Sequence, residues 1–153
     1  MKAVLQRVKR CSVSIDGKLY SRIDSGVLIF VGIHEEDRDA DAIFLSDKCA
    51  QLRIFPDADG KMNLSVKDTG GSAMVVSQFT LYGDARKGNR PNYMRAAKPE
   101  FAQRLYANFV ERLRLSLGHD KVETGIFHQM MDVELINDGP VTIIIDTLNG
   151  DDV

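Results

Sequence analysis

The segment Ser77-Gln78-Phe79-Thr80 holds the residues of this chain that are best suited to chemistry, because it brings three polar side chains to the end of an apolar run. Polar groups at such a position need hydrogen-bond partners or a cavity to face. Alternation predicts one strand over 73–81, with Ser77 and Phe79 on one of its faces. Gln78 and Thr80 then share the other face. A strand with one solvated side accounts for the same pattern, so both interpretations stay open at this point.

Acid–base and metal chemistry find little support elsewhere in the sequence. The histidines His34, His119 and His128 stand in no recognisable nucleophile motif. No glycine-rich phosphate loop occurs, and the acidic turn 57–60 lacks the further ligands of a calcium loop. We therefore expect no metal and no cofactor.

A second candidate segment is Asn137-Asp138-Gly139-Pro140, which joins two strand-like runs near the end of the chain. Gly139 permits backbone angles that are closed to other residues, and Pro140 lowers the cost of a cis peptide bond. An ordinary turn with a trans peptide is the alternative, since only about 5 to 6% of X-Pro bonds in folded proteins are cis.

The third candidate is the stretch 86–98, which contains no acidic residue and has Tyr93 among its basic side chains. A local cluster of positive charge in a weakly acidic protein can bind the phosphates of one nucleic-acid segment without binding nucleic acid non-specifically. A solubilising loop is an equal alternative. The basic residues of this stretch are Arg86, Lys87, Arg90, Arg95 and Lys98.

Length and composition limit the class of protein. The chain has 153 residues, 44% hydrophobic and 27% charged, with a formal net charge of -2, which indicates one globular domain with a real core. We predict that 1–148 form this single catalytic domain and that 149–153 are a mobile tail. No signal peptide or membrane-length apolar run is visible, so we expect a soluble cytoplasmic protein without membrane contact. Cys11 and Cys49 are predicted to be reduced packing residues.

The elements that must position these candidates are short strands and two helices. Turn chemistry at Asp16-Gly17 and Asp59-Gly60 predicts hairpins. The continuous apolar run 27–31 predicts a strand at the centre of the sheet. Apolar spacing predicts a helix over 37–52 and a stronger one from Pro99. We expect an α+β fold: a single domain with a mainly antiparallel, barrel-like sheet and two principal helices. The remaining predicted strands are 2–8, 11–15, 18–23, 53–55, 62–64, 73–81, 132–136 and 141–147.

Nine short segments stand out when the chain is taken in order: Gln6-Arg7-Val8, Gly26-Val27-Leu28, Arg53-Ile54-Phe55, 60–64, 77–81, Arg86-Lys87, Arg90-Pro91, Glu123-Thr124-Gly125 and 137–142. Together they resemble the D-aminoacyl-tRNA deacylase family of the bacterial and eukaryotic type, and the resemblance covers nearly the whole chain. It implies hydrolysis of the ester between a D-amino acid and tRNA, removal of mischarged glycine, and a homodimer that binds the 3′ end of aminoacyl-tRNA.

The resemblance implies that Ser77, Gln78, Phe79 and Thr80 line the catalytic pocket. Backbone N–H groups near Phe79 and Thr80 would stabilise the oxyanion. One hypothesis for the family makes the Thr80 hydroxyl the nucleophile, but an unactivated hydroxyl is weak at neutral pH. We favour attack by water, positioned by the substrate's terminal ribose hydroxyl.

The resemblance also implies a basis for chirality. Gly139-Pro140 would be a cis dipeptide inserted into the neighbouring subunit's pocket, where it leaves no room for an L side chain. Glycine, which has no side chain, would pass. Arg7 would anchor this dipeptide through its guanidinium. The alternative is that Arg7 forms an ordinary surface ion pair without a functional role.

The family pattern places Phe127 against the terminal adenine, although a core aromatic residue is an equal interpretation of the sequence. Met131 fits the pattern. His128 and Gln129 depart from it, because small residues are common at their positions. Two other functions remain: a related proofreader of L-aminoacyl-tRNA, and a non-enzymatic tRNA-binding module that uses the stretch 86–98.

Overall fold

A computed structural model describes residues 1–148. The predicted tail 149–153 lies outside the described residues. The helices are α1 (Asp39–Gln51) and α2 (Pro99–Leu117), and short 3-10 turns cover Phe79–Tyr82 and His119–Lys121. The strands are β1 (Lys2–Ile15), β2 (Lys18–Ile23), β3 (Gly26–Gly32), β4 (Phe55–Pro56), β5 (Met62–Leu64), β6 (Ser72–Ser77), β7 (Val122–Thr124) and β8 (Asp132–Asp146).

The main sheet has six strands and is organised around β1. Its first half pairs with β3, its second half pairs with β2, and β8 pairs along its other edge, all antiparallel. The sheet continues from β3 through β6 to β7 in parallel. The expected α+β, barrel-like domain with two helices is confirmed, and its sheet is mixed.

Local sequence signals explain most of these elements. Asp16 and Gly17 have φ values of 50° and 73°, the left-handed pair that a two-residue hairpin between β1 and β2 requires. Gly60, with φ of 77°, similarly lies between the paired strands β4 and β5. Both predicted hairpins are confirmed.

The apolar run of β3 crosses the centre of the sheet, as predicted. Val27, Ile29 and Val31 pack into the cluster shared with the helices. Leu28 packs into a second cluster with residues of β1, β2 and β6. Because both faces of β3 are covered, the strand has no polar alternation.

Both predicted helices are present, and only the start of the first differs from the prediction. α1 begins at Asp39 and not at Asp37, whose buried carboxylate accepts hydrogen bonds from the Met1 amino group at 2.5 Å and from the His34 N–H at 2.6 Å. α2 begins at Pro99, as predicted. The apolar stripe of α2 packs into the hydrophobic core of the domain.

Two strand predictions were wrong. The strand predicted over 73–81 ends at Ser77, and the next residues form a 3-10 turn. The hairpin predicted at Asn137–Pro140 does not exist, because β8 runs from Asp132 to Asp146 against β1. Gln6 pairs with Thr142 while Val8 pairs with Asn137, so residues 138–141 bulge outward opposite Arg7 alone.

The helices carry one further finding. No helix among residues 1–148 is long and apolar enough to cross a membrane.

Candidate active site

The polar segment lies where parallel strands end at a common edge of the sheet. Ser77 is the last residue of β6 and pairs with Val31 of β3, and the Gln78 N–H donates to the Val31 carbonyl oxygen at 2.8 Å. The chain then turns sharply instead of continuing as a strand. Gly32 allows this turn, since a Cβ there would lie 3.0 Å from the Gln78 carbonyl oxygen.

Thr80 and Gln78 contact each other in this turn. The Gln78 side-chain amide donates a hydrogen bond to the Thr80 hydroxyl. Within residues 1–148, no histidine, carboxylate or lysine hydrogen-bonds that hydroxyl, and the N–H groups of Phe79 and Thr80 have no acceptor. The turn therefore offers two free main-chain donors beside a hydroxyl that lacks a base.

A buried aromatic group supports the turn from below. Tyr82, its last residue, is buried, with its ring centroid 5.1 Å from that of His34. The ammonium of Lys2 lies 5.1 Å from the Tyr82 ring centroid. Burial, reinforced by nearby carboxylates such as Asp37, raises the pKa of the Tyr82 phenol, which keeps it neutral. The sequence pattern did not mark Tyr82 or Gly32, because their role depends on the contact between β3 and the turn.

The basic stretch adjoins the same turn. The rings of Phe79 and Tyr93 meet edge to face, with centroids 5.2 Å apart, and 56% of Phe79 is exposed. A Cβ on Gly83 would lie 2.9 Å from the Tyr93 ring, so this glycine allows the close approach. Asp84 forms a bidentate ion pair with Arg86, which lowers the pKa of the Asp84 carboxyl. One of the five basic side chains of the stretch is thus neutralised locally.

Gly139 and Pro140 lie at the tip of the β8 bulge, both exposed, and the peptide bond between them is cis. Arg7 holds the base of this bulge. Its Nε lies 3.1 Å from the Asp138 carbonyl oxygen and 3.2 Å from Asp138 Oδ2. The same guanidinium donates to the carbonyl oxygen of Ile54.

The bulge lies away from the end of β8 that is next to the turn. Lys2, whose ammonium covers Tyr82, forms an ion pair of 3.4 Å with Asp146 at the end of β8. Thr142, which resumes the pairing with β1 after the bulge, is four residues before Asp146 in the same strand, which places the end of the bulge roughly 13 Å further along β8 at about 3.3 Å per residue. The bulge that carries Gly139-Pro140 thus lies further along β8 than the ion pair beside Tyr82.

Phe127 and Met131 lie in the loop that follows β7, next to the end of β6. Val75 of β6 pairs with Thr124 of β7, and the Gly125 N–H donates to the Val75 carbonyl oxygen at 3.1 Å. Phe127 is half-buried against the core. The thioether of Met131 accepts a hydrogen bond from the backbone of this loop at 3.3 Å, and a Cβ on Gly125 would lie 2.5 Å from its sulfur. The Met131 side chain thus packs against the start of the loop, at Gly125 and Ile126, and supports it.

Other possible sites are unrelated to this edge. Two clefts of about 430 and 390 Å³ are lined by α1 residues and by the turns near Gly70, and neither includes 77–80. Among the described residues, no group of three His, Cys, Asp or Glu side chains is placed to hold a metal ion.

Comparison with known proteins identifies the family. The family model described as D-Tyr-tRNA(Tyr) deacylase matches residues 4–146. A D-aminoacyl-tRNA deacylase of Syntrophobacter fumaroxidans is 52% identical over 147 residues, covering 96% of this chain and 97% of the relative. One of Thermus aquaticus is 54% identical, covering 96% and 95%.

Solved structures share this fold. The c-Myc DNA unwinding element binding protein is 38% identical, with a TM-score of 0.92 over 96% of this chain and 99% of its own. A probable eukaryotic D-amino acid tRNA deacylase, 16% identical, shares the fold with a TM-score of 0.82 over 94% and 97% of the two chains. The chain is a member of the D-Tyr-tRNA(Tyr) deacylase family.

Proposed function

We propose that this protein hydrolyses the ester bond of D-aminoacyl-tRNA, and of mischarged glycyl-tRNA, releasing the free amino acid and tRNA. The observation that carries the proposal is the identity of more than half of the residues to curated D-aminoacyl-tRNA deacylases over almost the full length of both chains. The turn after β6 supplies what ester cleavage needs most, since its two free N–H groups can donate hydrogen bonds to an oxygen on which negative charge develops.

In the proposed reaction, a water oxygen attacks the ester carbonyl carbon and the carbonyl oxygen becomes an oxyanion. The N–H groups of Phe79 and Thr80 bind this oxyanion. The bond from carbon to the ribose oxygen then breaks, and the proton of the attacking water passes to that leaving oxygen. The neighbouring ribose hydroxyl of the substrate positions the water, which requires no protein base.

Thr80 acts in this account through its main chain and through the shape that it gives the pocket. Its hydroxyl accepts a hydrogen bond from Gln78 and has no base beside it among residues 1–148. A hydroxyl without a base is a weak nucleophile near neutral pH. Ser77 and Gln78 line the pocket around it.

Chirality is judged in the proposal by Gly139-Pro140 of a second copy of the chain. Four strand steps, roughly 13 Å, separate the end of the bulge at Thr142 from Asp146, which argues that this dipeptide does not reach the Thr80 turn of its own chain. The exposed bulge leaves it free to enter the pocket of a partner, where its backbone excludes an L side chain and admits hydrogen or a D side chain.

A homodimer is part of the same proposal. β8 pairs only with β1 among the described residues, so its second edge is open along 15 residues. Its outward side chains include Ile136 and Ile144, of which Ile144 is 72% exposed. A long open edge with apolar side chains favours pairing with another chain.

The remaining substrate contacts follow from the position of the loop after β7. Phe127 would stack on the terminal adenine of the tRNA, and Met131 would support that loop from below. Arg7 would keep the dipeptide in place through Asp138.

A binding module without catalysis is the second candidate, favoured by the basic stretch beside Phe79 and by the name of the c-Myc DNA unwinding element binding protein. One assay separates the candidates. Purified protein is incubated with D-tyrosyl-tRNA and with glycyl-tRNA, and ester loss is followed against a protein-free control. Hydrolysis of both supports the proposal, whereas tRNA binding without release of amino acid would contradict it.

A further inference from the structure

We infer that the imidazole of His128 forms a second stacking surface for the terminal base of the tRNA, beside the ring of Phe127. This inference rests on the proposed function and adds a binding residue to it. It begins from the backbone of one exposed residue in the loop after β7.

His128 adopts a backbone conformation that favours glycine. Its φ is 64°, in the left-handed region, where a Cβ crowds the following carbonyl oxygen. Glycine would adopt the same angles freely. A side chain at such a position carries a backbone cost that glycine would avoid, which directs attention to what that side chain contacts.

Packing within the chain does not supply that role. His128 is exposed, and within residues 1–148 neither of its ring nitrogens has a hydrogen-bond or ion-pair partner. Its aromatic contact is with Phe127, where the ring centroids lie 6.4 Å apart at an interplanar angle of 25°. The two rings therefore present nearly parallel faces.

Phe127 is held firmly while His128 is free to meet a ligand. The Phe127 ring lies 5.7 Å from that of Tyr106. The Tyr106 hydroxyl in turn donates to the Val75 carbonyl oxygen at 2.8 Å in a buried position. A planar heteroaromatic ring that stacks on Phe127 reaches an adjacent face at His128.

The loop that carries both rings lies at the same sheet edge as the catalytic turn. Val75 of β6 pairs with Thr124 of β7. Ser77 follows Val75 by two residues, and Phe127 follows Thr124 by three. An acceptor end whose ester carbonyl reaches Phe79 and Thr80 thus has its terminal nucleoside next to this loop. A purine base is the planar ligand that this position receives.

The test is binding of two uncharged tRNAs, one intact and one lacking the 3′-terminal adenosine, to the full-length protein. We expect His128→Gly to weaken binding of the intact tRNA about fivefold, the lower end of the range for base stacking. Binding of the truncated tRNA should not change. His128→Phe should stay within about twofold of wild type, and Gln129→Ala serves as the exposed neighbour control.

The thermal unfolding midpoint separates binding from a structural role. Because glycine fits the left-handed angles, His128→Gly should not lower the midpoint. A lower midpoint, an unchanged affinity for intact tRNA, or equal losses for both tRNAs would overturn the inference. A separate hydrolysis assay tests the proposed function itself. If the wild-type protein leaves D-tyrosyl-tRNA intact, the proposed function is wrong, whatever the binding measurements show.

Discussion

Arg7 in β1 binds Asp138 at two points, its Nε lying 3.1 Å from the backbone carbonyl oxygen and 3.2 Å from Oδ2. The side chain of Arg7 is only 11% exposed. Its guanidinium also lies 5.9 Å from the centroid of the Phe55 ring. The residue that faces the β8 bulge in the sheet thus also fixes the base of that bulge.

Replacing Arg7 should loosen the judgement of chirality. Lysine keeps the charge but not the planar fork that reaches both Asp138 and Ile54. We expect Arg7→Lys to lower the ratio of D-tyrosyl-tRNA to L-tyrosyl-tRNA hydrolysis at least tenfold, a change of about 1.4 kcal/mol. Initial rates on the two substrates measure this ratio. Arg10→Gln, an exposed change in the same strand, is the control, and an unchanged ratio in Arg7→Lys would refute the role of Arg7.

Removal of the Thr80 hydroxyl should be tolerated. If the main chain binds the oxyanion and water attacks the ester, Thr80→Ala keeps its N–H and should retain a rate within about tenfold of wild type. Single-turnover hydrolysis of D-tyrosyl-tRNA checks this. A fall to the uncatalysed rate that Thr80→Ser restores would instead identify the hydroxyl as the nucleophile.

Gly139 should not tolerate even a methyl group. Its φ is +123°, and a Cβ there would lie 2.8 Å from Arg7 Nη2 and 2.9 Å from Val141 Cγ2. We expect Gly139→Ala to lower the ratio of D-tyrosyl-tRNA to L-tyrosyl-tRNA hydrolysis more than tenfold, because the tip of the bulge must shift. Gly17→Ala is a matched control, with φ of +73° but nothing within 4 Å of its Cβ.

Both glycine substitutions place a side chain at positive φ, which costs about 1 to 2 kcal/mol of unfolding free energy, and Gly139→Ala adds the two close contacts. Chemical denaturation measures that cost for each variant. Equal falls in that hydrolysis ratio in the two variants would show that general destabilisation, and not the position of the bulge, explains the effect.

The contact between the helices should weaken in acid. Asp47 in α1 pairs with Arg112 in α2 through two bonds of 2.8 Å, which lowers the pKa of the Asp47 carboxyl from its ordinary 3.8. The pair therefore stabilises the folded state above about pH 4, and this contribution is lost as the pH falls through the folded-state pKa. A partly exposed pair contributes at most about 1 kcal/mol.

The variant Asp47→Asn isolates this contribution. Its unfolding free energy should lie below that of wild type at pH 6, and the difference should shrink as the pH falls toward 3. Urea titrations at several pH values give both quantities. A difference that stays constant with pH would mean that the carboxylate charge contributes nothing to the helix contact.

The two cysteines should be unreactive in the folded protein. Burial raises the pKa of the Cys11 thiol to about 11 and that of Cys49 to about 12. We expect disulfide reagents at pH 8 to label neither thiol quickly, and both to react at once in denaturant. Rapid labelling of the native protein would contradict the buried positions.

The sequence allowed prediction of elements whose cause is local. α2 follows from its apolar spacing and from Pro99, and the β1–β2 hairpin follows from Asp16-Gly17. The end of β6 at Ser77 depends on a distant contact instead, the close approach of Gly32 to the turn. Alternation in the sequence could not reveal that contact, so the strand was predicted too long.

Candidate site residues could be named from the sequence, but their arrangement could not. The motifs pointed to Ser77–Thr80 and to Gly139-Pro140, yet only the register of β8 against β1 shows that the latter bulges opposite Arg7. A bulge depends on pairing between strands more than 100 residues apart, and no local propensity encodes it. The position of this bulge along β8, away from Asp146, likewise follows from that register.

The most direct test of the central hypothesis compares initial rates of ester loss from D-tyrosyl-tRNA and L-tyrosyl-tRNA with the wild-type protein. A backbone wedge from a second copy predicts rapid loss of the D ester, with the L ester decaying no faster than in buffer. Equal acceleration of both esters would show that no such wedge guards the pocket.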